Sequence, residues 1–468
     1  MGFMAGAQEG WDLRQCVAYA LEHNISVKQA DLQRQFSLLN YGQGRASQLP
    51  SLNFGSSHGL SLGRRENPTT GVFEDQNFFT TNFNLQSGVS LFNWFSLKNT
   101  IEAARISIEA DKAQTKKVQD DIALNVAVAY LQVLLAGEQA NLSVVQIQQT
   151  ISQLEATRKK VTAGALPELN AAELESQLAR DSTSLITAQT SVQQNLLQLK
   201  ALLNLDAAQP FSIQTPPIDQ IPVESIASLD PALVYNSAIQ NLPQQLVAGL
   251  RIKSAVKSAE AARGNMYPNI SAFANLGTNY IYFRRPNFQP VILGYDTTAL
   301  KISTGTNTYF VQAPQIGQGA QNGYITPNGF FSQLNGNFGQ GIGIGVQVPI
   351  FNGRQARTAW ERAKLNILQY QYQKELGEQT LKQDIYRAHT DAVAAIQRYN
   401  ANKKVVETTE RAFTYAQKRY TLGLVSTYDL INSQNNLQRA RIEMLYAQFD
   451  FVFKMKLLEF YKGQGLKL

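Results

Sequence analysis

The sequence is short of charge, of cysteine and histidine, and of long apolar runs. Charged residues are 16% of its 468 positions, below the quarter usual for soluble domains, while apolar content is an ordinary 44%. Gln, Asn, Ser and Thr take the place of the missing charge, which suits surfaces facing polar lumens or neighbouring chains. A single cysteine, Cys16, excludes an intramolecular disulfide and any CxxC metal or redox motif. Leu13-Arg14-Gln15 before it lacks the small residues of a lipoprotein acylation site, so Cys16 reads as a buried apolar residue on a short helix. The three histidines, His23, His58 and His389, lie far apart, and no HExxH, GxSxG or P-loop pattern occurs. No enzyme, no cofactor and no metal site is therefore expected. The net charge of +7 reads as a solvated basic surface, and no basic run interleaved with aromatics marks a nucleic-acid partner. No uninterrupted run of 18 apolar residues is present, so no transmembrane helix is expected. That leaves β-strands open, because they cross a bilayer in short alternating segments. Ala5-Gly6-Ala7 has the small-x-small pattern of a secretory cleavage site, and 1–10 are read as a signal-peptide tail or foreign residues outside the fold.

What is present is a duplication. Ala20-Leu21-Glu22 to Pro50 aligns with Ala238-Ile239-Gln240 to Pro268 at a constant offset of 218, pairing Ala30 with Ala248, Leu32 with Leu250 and Arg45 with Arg263. From Phe92-Asn93, matched to Phe351-Asn352, the offset is 259 and holds without a gap for about ninety residues. It pairs Ile108 with Ile367, Ala129 with Ala388, Gly164 with Gly423 and Arg180 with Arg439. The extra 41 residues, 259 less 218, fall between these stretches, so the copies keep their helix lengths and differ in one loop. The copies are read as 11–229 and 230–468, each a helix, two strands, a long helix and a second helix.

Period-2 alternation marks four strands, about 51–62, 83–92, 269–283 and 338–350. Leu52, Phe54, Leu60 and Leu62 share one face, as do Phe83, Leu85, Val89 and Leu91. So do Ile270, Ala272, Ala274, Leu276, Tyr280 and Tyr282, and in the last strand Ile342, Ile344, Val346, Val348 and Ile350. The alternate positions of that strand are Gly339, Gly341, Gly343, Gly345 and Gln347. Four strands cannot enclose a barrel, and no other sheet is available to cover their apolar face. Strands pooled from several copies and facing lipid solve both problems. The joining segments, 63–82 and about 284–336, read as polar irregular loops.

Long helices are expected at about 96–162, 167–204, 354–421 and 427–461. At 1.5 Å per residue the first is on the order of 100 Å long, and Gly137 is its only glycine. Two stripes, Ile122/Val126/Ala129/Val133/Ala136 and Leu124/Ala127/Leu131/Leu134, lie about 200° apart, so this helix meets a neighbour on each side. Each long helix ends at a turn. Gly164 and Gly423 suit a left-handed terminator, Pro167 is pre-set for the first turn of the next helix, and Ser426 or Thr427 can cap the helix after Gly423.

These features together resemble the TolC family of bacterial outer-membrane efflux proteins over essentially 11–462. The resemblance rests on the duplication and on the strand-to-helix junction Val348-Pro349-Ile350-Phe351-Asn352-Gly353. It also rests on Tyr420-Thr421-Leu422-Gly423 with Tyr428-Asp429-Leu430, and on Trp11-Asp12-Leu13, Ala18-Tyr19-Ala20-Leu21 and Asn24. The family usually has a second glycine after Gly353, where this chain has Arg354. The resemblance implies a mainly α protein with a membrane β-barrel: a homotrimer whose twelve strands form one barrel joined to a twelve-helix tunnel. An equatorial belt would take in 205–229 and 455–468. Expected partners are outer-membrane lipid, a periplasmic adaptor and an inner-membrane pump; the cargo, small molecules or proteins, is set by the pump. A periplasmic gate is implied at the hairpin tips. By position Asp429 matches an acidic gate residue, while Asn432 and Asn170 stand where carboxylates are common. Tyr420 matches a residue that holds the closed state, and Val425 stands where its basic partner is usual. Asp429 is equally read as a helix-start carboxylate facing the helix dipole. A soluble periplasmic coiled-coil adaptor is the competing reading of the whole chain.

Overall fold

The computed structural model describes residues 10–66, 73–75, 77–214 and 222–463. Of the supposed signal tail only Gly10 is included, and parts of the supposed belt (215–221 and 464–468) lie outside the described residues. In chain order the elements are α1 (Leu13–His23), α2 (Ile25–Ala46), β1 (Ser51–Ser61), β2 (Arg64–Glu66), β3 (Phe73–Asp75), β4 (Phe78–Phe92), α3 (Ser96–Thr162) and α4 (Glu168–Leu203). They continue with α5 (Pro231–Asn241), α6 (Pro243–Gly264), β5 (Asn269–Phe283), β6 (Arg285–Thr304), β7 (Asn307–Ile325), α7 (Phe330–Gly336), β8 (Gly339–Gln347), α8 (Gln355–Thr421) and α9 (Thr427–Tyr461). α1 and α5 are 11 residues each, α2 and α6 are 22, and α3 and α8 are 67. These fall into two compact units: a helical one (10–42, 99–260, 359–463) and a strand-bearing one (43–98, 261–358).

In the strand-bearing unit β1, β4, β5 and β8 form one antiparallel sheet in that order. Its register sorts the side chains. Phe54 faces Leu85, Leu85 faces Leu276, Ala274 faces Ile342 and Ala272 faces Ile344, so one face is apolar across all four strands. The other carries Asn53, Gln86, Asn84, Asn275, Gly341 and Gly343. Among the described residues of the unit nothing covers the apolar face: Ile342 is 89% and Ile344 70% exposed. The glycine row gives room to neighbours on the polar face, where a Cβ at Gly343 would meet the Phe273 ring at 2.5 Å. β1 and β8 are the sheet's two open edges.

Several expectations are corrected here. The pairing slips at Leu91, which leaves the ladder in a bulge, so Phe92 instead takes the apolar face opposite Ile270. β4 begins at Phe78 rather than 83, and the supposed loop 63–82 also contains the paired β2 and β3. β8 stops at Gln347, because Pro349 has no N–H to give a ladder. The expected polar loop 284–336 is mostly structure: β6 and β7 make a long hairpin and α7 follows. α7 takes over where β8 ends. Gln333 accepts from Ile281 N at 3.0 Å and donates to its carbonyl at 3.0 Å, while Asn337 donates to Asn279 O, so side chains stand in for the missing strand along β5.

In the helical unit the first helical segment of each copy is broken, not continuous. Asn24 adopts an extended ψ of 133°, accepts from Ser26 N and donates to Leu202 O, ending α1 and starting α2. At the corresponding place Pro243 removes an N–H and α5 gives way to α6. Asp12 caps α1 in a reciprocal box with Gln15, and Asp230 caps α5 ahead of Pro231. α3 is the spine. Asp111, 2% exposed, accepts from Ser37 of α2 and pairs with Arg251 of α6. Ile122, Val126, Ala129, Tyr130 and Val133 of α3 form a core with Cys16, Leu199, Leu203 and Phe449. One 18-residue window of α3 reaches a mean hydropathy of 1.3 although no uninterrupted apolar run lies in it, and half of it is buried. Fully burying a Leu, Ile or Val contributes about 1.5–3 kcal/mol, so this cluster is the main anchor of the helices around it. Cys16 is fully buried, and burial pushes its thiol up to about 12.

Candidate functional site

The hairpin turns are built alike. After α3, Gly164 (φ +71°) sends its N–H to Val161 O and Ala165 N bonds Lys160 O; after α8, Gly423 (φ +74°) bonds Tyr420 O and Leu424 N bonds Arg419 O. Both are Schellman terminators, in which a residue without Cβ takes the left-handed position. Pro167 sits one place earlier than expected, as the N-cap residue of α4 with extended ψ, so Glu168 opens the helix. Ser426, not Thr427, caps α9. Its Oγ accepts from Asp429 N at 3.1 Å, and Asp429 Oδ2 in return accepts from Ser426 Oγ at 2.7 Å and from Ser426 N at 3.4 Å. Asp429 thus completes a capping box in the first turn of α9, where the helix dipole also favours a negative charge, and its side chain is exposed. Asn432, one turn on, is exposed; Asn170 is half-buried in the first turn of α4, its N–H on Pro167 O.

Tyr420 joins three helices. It is buried with Phe413, Leu430 and Leu437, and Val425 packs on the same cluster. Its hydroxyl bonds Thr157 Oγ1 of α3 at 2.8 Å and Thr427 Oγ1 of α9 at 3.3 Å. The Lys160 ammonium stands 5.5 Å from its ring centroid, so the cation near this tyrosine comes from α3 and not from position 425. Sequence reasoning missed Thr157 and Lys160.

It also missed the polar seam above them. Ser143, Gln146, Thr150 and Thr157 of α3 are all buried. Thr150 Oγ1 donates to Asp181 of α4 at 2.6 Å and accepts from Gln434 of α9 at 3.0 Å. Gln177 donates to the buried Asp181 at 2.8 Å and to Asn435 at 3.0 Å. The signal was available: 143, 150 and 157 continue the seam of Ile122 to Ala136 at the same 3–4 spacing, with 146 one position off it, but in polar residues.

The strand-to-helix junctions share a second feature. Trp94 and Phe95 (φ +51° and +61°) precede α3, and Gly353 and Arg354 (φ +62° and +65°) precede α8. Both junctions therefore use two successive left-handed residues, 259 positions apart in the sequence. For Trp94, Phe95 and Arg354 the conformation costs on the order of 1–2 kcal/mol each. Asn93 O accepts from Ser96 N, and Asn352 O from Gln355 N, closing each turn. Pro349 and Phe351 lie in the connection between β8 and α8, with Phe351 exposed.

A family model described as "Outer membrane efflux protein" matches residues 17–205 and 234–451. The chain is 20% identical over 449 residues to the outer membrane protein TolC of Escherichia coli (strain K12), covering 94% of this chain and 80% of that one. It is 21% identical over 470 residues to the alkaline protease secretion protein AprF of Pseudomonas aeruginosa, covering 98% and 85%. Among solved structures, CusC superposes with a TM-score of 0.75 at 18% identity, over 99% of this chain and 96% of that one. The family match, over both of these stretches, sets aside the soluble adaptor reading. The chain belongs to the outer membrane efflux protein family, and is a channel-tunnel of the Gram-negative outer membrane reaching into the periplasm.

Proposed function

We propose that three copies of this chain assemble into a passive export duct, with twelve strands closing one barrel in the outer membrane and the helices forming a tunnel below it. One observation carries this reading: the β1-β4-β5-β8 sheet has an uncovered apolar face and two open edges. In hydrocarbon an unpaired backbone N–H or C=O costs several kcal/mol, so β1 of one copy must find β8 of the next. The polar face of Asn, Gln and Gly then lines a wet lumen. The helices call for the same closure. Leu32, Phe36 and Leu39 of α2 and Leu365, Leu368 and Tyr372 of α8 are exposed stripes that meet if copies join head to tail, and a head-to-tail contact that closes makes a ring.

The two copies of the repeat are read as a tandem duplication, with 205–229 and 455–468 forming a belt. The hairpin tips are the periplasmic gate. Tyr420 with Thr157 and Lys160 is its latch, and three Asp429 side chains form an anionic ring that favours cations. With Asn432 and Asn170 neutral, that preference is modest. A periplasmic adaptor engages the tips and an inner-membrane pump supplies the cargo, small molecules or proteins. The test is reconstitution into planar bilayers. A small, mostly closed conductance is expected, with Tyr420→Phe raising the open fraction and Asp429→Asn reducing cation preference. A stable monomer in detergent, or an open pore indifferent to both changes, defeats the reading.

A further inference from the structure

The β6–β7 hairpin is the chief structural addition in the second copy. Its strands are 20 and 19 residues long and form a two-stranded sheet of their own, turned at Gly305 (φ +72°). A lone two-stranded ribbon is marginally stable in water. This one is also apolar where it shows. Ile292 pairs with Ile316 and Ile302 with Tyr309, and all four are more than half exposed. Leu293, 71% exposed, lies over Gly317. From 285 to 325 the sequence holds three charged residues, Arg285 at the base of the hairpin, Asp296 and Lys301. Gln315 donates to Asp296 at 2.5 Å, and Lys301 lies over the Phe310 ring at 4.8 Å.

We infer that these hairpins are an interface between copies: the Ile292/Ile316 and Ile302/Tyr309 pairs of one chain pack on the hairpins of its two neighbours. This rests on the trimer proposed above. The hairpin's place in the sheet selects this occupant. Arg284 alone separates β5 from β6, and β8, the open edge that must meet another copy, begins soon after α7. In a closed barrel the three hairpins therefore spring from one rim. Charge argues against the alternatives. An anionic lipid or lipopolysaccharide surface is met by clustered Lys and Arg, which the exposed length of the hairpin lacks. A hairpin bathed in water would not keep its aliphatic and tyrosine side chains outward over both strands.

The experiment uses the full-length chain in outer-membrane vesicles. Tyr309→Cys and, separately, Ile302→Cys are treated with a short bis-maleimide; the native Cys16 is fully buried and does not compete. A Phe36→Cys/Tyr372→Cys pair reports the helical seam between copies independently. The expected result is chains linked through the hairpin cysteines at a rate comparable to the seam pair. Seam linkage with silence at both hairpin positions overturns the inference and leaves the trimer standing; silence everywhere removes the trimer as well. Hairpin cysteines that stay unlinked while a label on them is quenched by lipid-borne nitroxide show that lipid is the occupant, which also overturns it.

Discussion

The two halves of α3 present the same seam in different chemistry. From Ile122 to Ala136 the buried positions are Ile, Val, Ala, Tyr and Leu, and the segment anchors the largest core. From Ser143 to Thr157, nearer the Gly164 turn, they are Ser, Gln, Thr, Leu154 and Thr, and the two threonines hydrogen-bond across to α4, α8 and α9. Apolar packing is lost when helices shift and has no substitute. A hydrogen bond broken by the same shift is replaced by water at a net cost of only about 0.5–1.5 kcal/mol. The spine is thus fixed in one half and exchangeable in the half that ends at the proposed gate.

The comparison breaks most visibly if the apolar half tolerates charge. Val126→Asp is expected to destabilise by about 3–5 kcal/mol, because the carboxylate would be buried without a partner. Loss of the folded, heat-resistant species on gels is the readout, and a native-like yield would remove the distinction. The polar half is predicted to respond asymmetrically. Thr150→Ala, which leaves Asp181 short of a donor, lowers stability by about 1–3 kcal/mol. Thr150→Val combined with Asp181→Leu and Gln434→Leu, which removes both partners of the Thr150 hydroxyl with it, restores most of it and holds the tips shut, seen as a lower open fraction in bilayers. A smaller effect is expected from Tyr420→Phe. It removes the bonds to Thr157 and Thr427, worth about 1 kcal/mol, and raises the open fraction roughly fivefold without lowering the melting temperature of the apolar half. Smallest is Arg354→Gly, which relieves a left-handed residue and gains about 1 kcal/mol or less, measured as a slight rise in melting temperature. Cys16 provides a control on the fixed half. With its thiol held near 12, it stays protonated at neutral pH and resists maleimide until the protein unfolds.

Much of the fold was legible because long periodic segments declare themselves. The ends of α3, α4, α8 and α9 fall within a residue or two of the positions read from glycine, proline and serine. The apolar face of the sheet follows directly from alternation. What escaped has identifiable causes. The bulge at Leu91 is invisible to alternation, since a single unpaired residue changes the face of everything after it. The β6–β7 hairpin was read as loop because its Gln, Gly, Thr and Pro content mimics one, and its bulges break the period-2 signal. At the proposed gate, Tyr420 and Asp429 were picked out by their match to the family's pattern and Ser426 as a helix cap, whereas Thr157 and Lys160, which meet Tyr420, lie on a helix some 260 residues away in sequence.

Taken alone, the chain's order of residues determined periodicity, helix length and turn chemistry, because these depend on neighbours within a few positions. Tertiary structure alone decided which seam of α3 meets which helix, and that Asp111, Asp181 and Tyr420 are tied across helices. Those outcomes depend on which distant surfaces come together, and on whether a buried polar atom finds a partner when they do.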